Sequence, residues 1–136
     1  MKIKLESWAY MPEYAHETDA GADLRTPHDV TVPPRGSAVI DTGVHIELPP
    51  NTVGMIKSKS GLNVGKCIQS EGVIDVGYTG SVRCKLFNHS DEPYEFKAGD
   101  KISQLVIMPY LKQTFELVDE LEATERGDKG FGSTGR

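Results

Sequence analysis

Positive charge is in short supply in this sequence: 15 Lys and Arg stand against 20 Asp and Glu, for a net charge of -5. A general nucleic-acid binder carries a basic face. The balance therefore speaks against direct nucleic-acid binding, and an anionic ligand would need its cations placed locally. Cysteine is scarcer still. Cys67 and Cys84 lack CxxC spacing, so two free thiols in a cytoplasmic protein are expected. The histidines, His16, His28, His45 and His89, form no HxxxH or HExxH pattern, which leaves a zinc site with little support. No apolar run approaches the length of a membrane span, and Met1-Lys2-Ile3-Lys4 is not followed by the apolar stretch of a signal peptide. No membrane partner is expected. Repeats of fixed period and low-complexity tracts are also missing.

What the chain does have is short alternating apolar runs within the 136 residues of one expected domain. Val30/Val32, Val44/Ile46/Leu48, Val53/Met55, Val82/Cys84/Leu86 and Tyr94/Phe96 are such runs, and Ile102–Met108 is denser. Pro33-Pro34-Arg35-Gly36, Pro49-Pro50-Asn51, Asn88-His89-Ser90-Asp91 and Ala98-Gly99-Asp100 lie between them. Strands broken by turns about every 8–12 residues predict an all-β sandwich or barrel. Helical signal is poor. Phe115–Glu125 suits a helix or a strand, and Ser60–Lys66 has room for one short helical turn. Arg126–Gly135, with four glycines, reads as a flexible arm, giving a body over 1–125 and an arm over 126–136.

Gly72-Val73-Ile74-Asp75-Val76-Gly77-Tyr78-Thr79-Gly80 is the stretch with the most chemistry. It reads as a strand, a tight glycine-assisted turn and the start of a second strand, holding one carboxylate and one aromatic ring. Other stretches imitate motifs. Gly130-Phe131-Gly132-Ser133-Thr134-Gly135 matches G-x-G-x-x-G, but only Arg136 follows, so no helix can complete a dinucleotide site. Arg126-Gly127-Asp128 spells an adhesion tripeptide at near-chance level. Val39-Ile40-Asp41-Thr42-Gly43 resembles the catalytic loop of small dimeric aspartic proteases. A turn between two strands explains it more simply, and that reading is preferred.

Five segments, in order, resemble the five motifs of the trimeric dUTPases. They are Ala20-Gly21-Ala22-Asp23-Leu24, Lys59-Ser60-Gly61-Leu62, Gly72–Gly80 running on to Leu86 and Asn88, Gly99-Asp100-Lys101-Ile102-Ser103-Gln104-Leu105-Val106-Ile107, and Arg126-Gly127 through Gly130–Gly135. One alone is weak; five in order are highly specific. The resemblance implies a distorted jelly roll of the β-clip type, a homotrimer with active sites shared between subunits, and Mg²⁺-assisted hydrolysis of dUTP to dUMP and pyrophosphate.

The resemblance also implies roles. Asp75 matches the catalytic aspartate; a carboxylate there can orient an in-line water and take its proton. Tyr78 matches the ring under the deoxyribose that leaves no room for a 2′-hydroxyl. Main chain near Ser70–Ile74, with Gly72, Val73 and Ile74 foremost, and on the strand near Arg83, would read the uracil edge. Ser60 and Gly61 match a phosphate-binding turn; a plain N-cap is the alternative, which Ser60 satisfies equally well. Lys59 stands where the family usually has arginine, keeping charge without the bidentate fork and leaving any structural ion pair in doubt. Asp23 would hold waters on a triphosphate-bound Mg²⁺, or be a solvated strand-end aspartate. Gln104 would lie near the phosphates. Arg126 would clamp the terminal phosphate, Phe131 stack on uracil, and Gly132, Ser133 and Thr134 wrap the phosphates. Lys129 before Gly130 is a second departure. The Arg-Ser-Ser run of the related dCTP deaminases is missing. An aspartic protease centred on Asp41, or a non-catalytic binding protein on the same fold, are the readings from other classes.

Overall fold

A computed structural model of the chain describes residues 1–128 and 130. Among these, nine strands and one helix follow in the order β1 (Lys2–Leu5), β2 (Gly21–Arg25), β3 (Val30–Val32), β4 (Ser37–Glu47), β5 (Thr52–Lys57), α1 (Ser60–Lys66), β6 (Ile68–Ile74), β7 (Ser81–Asn88), β8 (Tyr94–Phe96) and β9 (Lys101–Pro109). Seven strands form one curled sheet in the order β1-β4-β7-β6-β5-β9-β2, and β3 pairs with β8. All these pairings are antiparallel. The fold is all-β, as the alternating runs lead one to expect, and jelly-roll-like, as the resemblance implies.

Alternation decides which face of each strand is buried. On β7 the buried set is Val82, Cys84, Leu86 and Asn88, with Arg83 and Lys85 pointing to solvent. Those residues join Leu24, Ile40, Val44, Ile56, Ile68 and Ile102 in one core, to which β3 and β8 contribute Val32 and Phe96. Asn88 is the polar exception. Its amide donates to Val32 O (3.2 Å) and Glu92 O (2.7 Å), so burial leaves neither N–H unmet.

Three local readings need correction. Asp41-Thr42-Gly43 is not a turn between strands; it lies inside the 11-residue β4, where the register with β7 shifts between Asp41 and His45. That is a bulge. Gly43 has φ +67° there, and a Cβ would lie 2.6 Å from the Trp8 ring. Ser60–Lys66 forms seven helical residues rather than one turn. Phe115–Glu125 is neither helix nor strand: among the described residues, regular structure ends at Pro109. Phe115 and Leu117 are bare, at 96% and 100% exposure, and Val118 is half covered. The arm residues Phe131, Gly132, Ser133 and Thr134, with Lys129, lie outside the described residues.

The two cysteines make the fold testable. Cys67 is exposed and Cys84 is buried, and burial pushes the Cys84 thiol up to about 12 against a smaller opposing effect of Ser103. The native protein should release one equivalent of thiol to a disulfide reagent at pH 8, and the second only in denaturant. Equal native reactivity of both thiols would contradict the placement of β7 in the core.

Candidate active site

The site is built around a parting of strands. β6 and β7 pair only at Ile68–Asn88, Gln69–Phe87 and Ser70–Leu86. Beyond Ser70, β6 turns to β5, pairing Glu71 with Lys57 and Ile74 with Gly54. β7 meanwhile pairs with β4, placing Cys84 opposite Ile40 and Arg83 opposite Asp41. The sequence-predicted tight hairpin is therefore an open one. Along each arm of the gap, alternate residues turn their N–H and C=O groups away from the outer neighbour and into the opening. A cavity of about 220 Å³ occupies it, lined by Val73, Ile74, Asp75, Tyr78, Val82 and Arg83.

A turn closes the mouth of this gap. Tyr78 N–H donates to Asp75 O at 3.1 Å, and Gly77 adopts φ +95°, a conformation that favours glycine. The Asp75 side chain is exposed. It also lines a second cavity of about 320 Å³ with Val53, Tyr110 and Lys112. The Tyr78 hydroxyl donates to Ser81 O at 3.0 Å. Its ring lies so close to Gly80 that a Cβ there would sit 2.6 Å from the phenol oxygen. The ring is thus held by the backbone that follows it.

The β4 bulge ties this turn down. Thr42 Oγ1 donates to Val82 O at 2.7 Å. Asp41 accepts from Ser81 Oγ and, at 3.0 Å, from Gly43 N–H, and Arg83 Nε is 3.4 Å from its other oxygen. The Ser81 hydroxyl, with help from Gly43 N–H and Arg83, outweighs partial burial and holds the Asp41 carboxyl below the usual range. Asp41 is therefore a fully engaged strand residue rather than half of a protease dyad. His45 reaches the same turn: Nδ1 is 2.8 Å from Thr79 O and Nε2 is 3.2 Å from Glu6 Oε1.

A second cluster gathers at the other end of β5. Asp23 on β2 stands opposite Gln104 on β9, and Gln104 opposite Lys57 on β5. Gln104 Nε2 donates to Ser58 O at 3.0 Å, bracing the segment that leads into α1. Ser58 Oγ bridges Ser70 N–H (2.8 Å) and Ser70 O (3.0 Å). The Ser70 hydroxyl is 2.7 Å from that of Ser103. Ser60 opens α1 as its first residue, not as its N-cap; the cap is Lys59, without a side-chain capping bond. The Leu62 and Asn63 amides donate to Lys59 O. The amides of Ser60 and Gly61, in the first turn, have no intrahelical acceptor.

Asp23 is neither solvated nor open. It is 3% exposed, with Lys59 Nζ on Oδ1 and Lys101 Nζ 2.6 Å from Oδ2. The Lys101 contact is a charge pair rather than an aligned hydrogen bond. Burial works to raise the carboxyl; the two lysines together outweigh it, and the group titrates below its usual value. Lys59 thus makes a buried structural ion pair with Asp23. This donor set does not fit a magnesium ion held through Asp23, because both carboxylate oxygens already face ammonium groups. No group of three or more His, Cys, Asp or Glu suited to a metal occurs among the described residues.

The two clusters do not meet within one chain. Asp75 follows Ile74, which pairs with Gly54; Ser58 follows Lys57, at the other end of the same pairing. That is about five strand steps, or roughly 17 Å. Arg126 belongs to the exposed C-terminal segment, just before Gly127, whose N–H donates to Thr124 Oγ1. The side-chain bonds of Ser58, Ser70, Ser103 and His45 escaped sequence reasoning. Small polar residues in strands carry no signal until their partners are known.

A family model described as dUTPase matches residues 8–135. The chain belongs to the dUTPase family. It is 42% identical to the deoxyuridine 5′-triphosphate nucleotidohydrolase of Gloeothece citriformis, over 97% of this chain and 93% of that one. It is 43% identical to the enzyme of that name from Clostridium acetobutylicum, over 99% and 96%. Among solved structures, the Staphylococcus bacteriophage 80alpha dUTPase bound to dUpNHpp superposes with a TM-score of 0.90 at 32% identity, covering 99% of this chain and 98% of that chain. A mutant dUTPase of the Staphylococcus aureus phage phi11, described with a structural Mg(II) ion, gives 0.80 at 29%, covering 90% and 98%.

The buried charge cluster yields a stability prediction. Asp23→Asn leaves Lys59 and Lys101 without their counter-charge and should cost about 2–4 kcal/mol at pH 7. A depressed carboxyl contributes stability above its unfolded value of 3.8 and loses it as pH falls through the lower folded value. The gap between wild type and variant in denaturant titrations should therefore narrow only below about pH 4. A variant as stable as wild type at pH 7 would show the cluster to be unimportant.

Proposed function

We propose that this protein hydrolyses dUTP to dUMP and pyrophosphate. The observation that carries the reading is the parted β6–β7 hairpin, with Asp75 and Tyr78 at the mouth of its cavity, in a chain of the dUTPase family. Related phage enzymes hold dUpNHpp, a nucleotide analogue of the same shape class.

Uracil enters the gap edge-on and is read by main chain of Gly72, Val73 and Ile74 on one arm and of the strand near Arg83 on the other. Fixed N–H and C=O groups present a donor–acceptor order that cytosine cannot match. A close fit at uracil C5 excludes the thymine methyl. The deoxyribose packs on Tyr78, whose ring cannot retreat because Gly80 and Ser81 O hold it. Asp75 orients a water toward the α-phosphorus and takes its proton as the bond to phosphorus forms. Pyrophosphate leaves.

The triphosphate needs more donors than the main chain and Arg83 of the gap supply. Ser60, Gly61 and Gln104 supply them, with Lys59 beside them, and these lie too far from Asp75 to serve the same nucleotide in one chain. A second copy of the chain brings its Ser60 cluster to the Asp75 of the first. Arg126, Phe131, Gly132, Ser133 and Thr134 close the site from a further copy. A homotrimer satisfies all three demands, and the bare apolar residues between 111 and 121 give such an assembly surface to bury. A magnesium ion carried on the triphosphate needs no protein cluster of its own, and the reaction steps above are assigned to the chain's residues alone.

Pyrophosphate release should be rapid with dUTP and at least about 100-fold slower with dCTP, dTTP and UTP. No turnover of any of the four would favour a binding protein on the same fold. Asp75→Asn should lower kcat by roughly 10²–10⁴ with Tm unchanged; a variant keeping most of its turnover would remove Asp75 from the mechanism. Deleting residues 126–136 should still leave an assembly of three chains, about 41 kDa against about 45 kDa for three intact 14.9 kDa chains, with kcat/KM strongly reduced.

A further inference from the structure

Asp41-Thr42-Gly43 takes no part in the hydrolysis, yet it lies directly behind the turn that carries Tyr78. Across the β4 bulge the register passes from Asp41–Arg83 to His45–Ser81. Three residues of β4 thus face one residue of β7, Val82, and the ladder is interrupted there. Side chains stand in for the missing rungs. Thr42 Oγ1 donates to Val82 O at 2.7 Å and accepts from Val44 N–H at 3.3 Å. Asp41 Oδ1 accepts from Ser81 Oγ and, at 3.0 Å, from Gly43 N–H. Its other oxygen faces Arg83 Nε at 3.4 Å.

Ser81 passes this anchorage to the ring. Its hydroxyl is on Asp41, in a partly buried bond, and its carbonyl accepts the Tyr78 hydroxyl at 3.0 Å. Gly80 lies against the same ring, close enough that a Cβ would sit 2.6 Å from the phenol oxygen. Tyr78 is 48% exposed and outside the core cluster, so core packing does not fix its ring. The backbone of Gly80 and Ser81 fixes it instead. We infer that Asp41, acting through Ser81, is a positioning residue for the Tyr78 ring and so sets how strictly a 2′-hydroxyl is refused.

The distances involved are small. A misplacement of about 1 Å is worth up to about 100-fold in rate, so a modest slackening at Ser81 is enough to let the ring yield to a hydroxyl. Asp41 touches the β7 strand through a hydrogen bond to Ser81 and through a charge facing Arg83. Asparagine keeps an acceptor for the first and removes the second, while alanine removes both. Base recognition stands apart, because it belongs to the main chain of the gap.

The role in refusing the hydroxyl rests on the dUTP reading; the anchorage of the ring does not. kcat and KM are measured for dUTP, UTP and dCTP with wild type, Asp41→Ala, Asp41→Asn, Ser81→Ala and Ser81→Thr. The preference for dUTP over UTP in kcat/KM should fall about tenfold in Asp41→Ala and in Ser81→Ala. Ser81→Thr keeps the hydroxyl and Asp41→Asn its acceptor, so both should hold the preference to within about twofold. The two alanine changes combined should do no more than either alone, since they break one chain of contacts. In Ser81→Ala the preference over dCTP should stand. A wild-type preference over UTP in Ser81→Ala overturns the proposal. So does an equal loss of preference over dCTP, which marks a general loosening of the site. A loss in Asp41→Asn as large as in Asp41→Ala also overturns it, because the charge on Arg83 would then carry the effect. If Asp41→Ala fails to fold, the two Ser81 variants decide. In the nucleotide-free protein, the Tyr78 ring resonances should move in Ser81→Ala and stay in place in Ser81→Thr. Ring resonances that ignore Ser81→Ala refute the anchorage. Absence of dUTP turnover in wild type counts instead against the dUTP reading and leaves the NMR comparison to decide.

Discussion

Everything that resembles chemistry in this protein depends on one change of partner. β6 pairs with β7 for three residues and then leaves it for β5. A hairpin zipped to its turn would spend its backbone groups on itself and expose no recognition surface. Parting the strands costs those cross-hairpin hydrogen bonds. The cost is met because each arm finds another neighbour on its outer side, so only alternate groups are left facing the gap. An unmet buried backbone group would cost about 1–3 kcal/mol, which makes an open hairpin tolerable only where water or a ligand occupies it.

The bulge in β4 is what keeps the gap from closing or drifting. It sets Thr42, Asp41 and His45 against Val82, Ser81 and Thr79 respectively, so three of the four positions 79–82 are fixed to one strand. Trp8 covers Gly43 and excludes any side chain from that crossing. At the other end of β5, a buried carboxylate and two lysines play a comparable structural part. Charge there is spent on holding β2, β9 and the start of α1 together, which is why Asp23 has none to offer a metal.

The β architecture was legible because burial follows a period of two, and Val82/Cys84/Leu86 displays it openly. The chemistry of Gly72–Gly80 was legible because carboxylate, aromatic ring and glycines stand close in sequence. Three things were hidden. The parting of β6 from β7 is a matter of which strands compete for pairing, and a single strand's sequence does not encode its neighbours. Asp41-Thr42-Gly43 has the composition of a turn, yet Gly43 serves a bulge; both uses need positive φ. Phe115–Glu125 has helical spacing but no core to face, and periodicity without a partner surface does not hold a helix.

The central claim is that one chain carries two half-sites, about 17 Å apart along β5, and that catalysis needs halves from different copies. Mixing settles it. Asp75→Asn chains and Gln104→Ala chains, each nearly inactive alone, are unfolded together and refolded as mixed assemblies, and pyrophosphate release from dUTP is measured. Random assembly should restore activity at about one site in four, where an intact Asp75 meets an intact Gln104 from another copy. Activity no greater than the sum of the two separate variants would mean that each chain completes its own site, and would contradict the account.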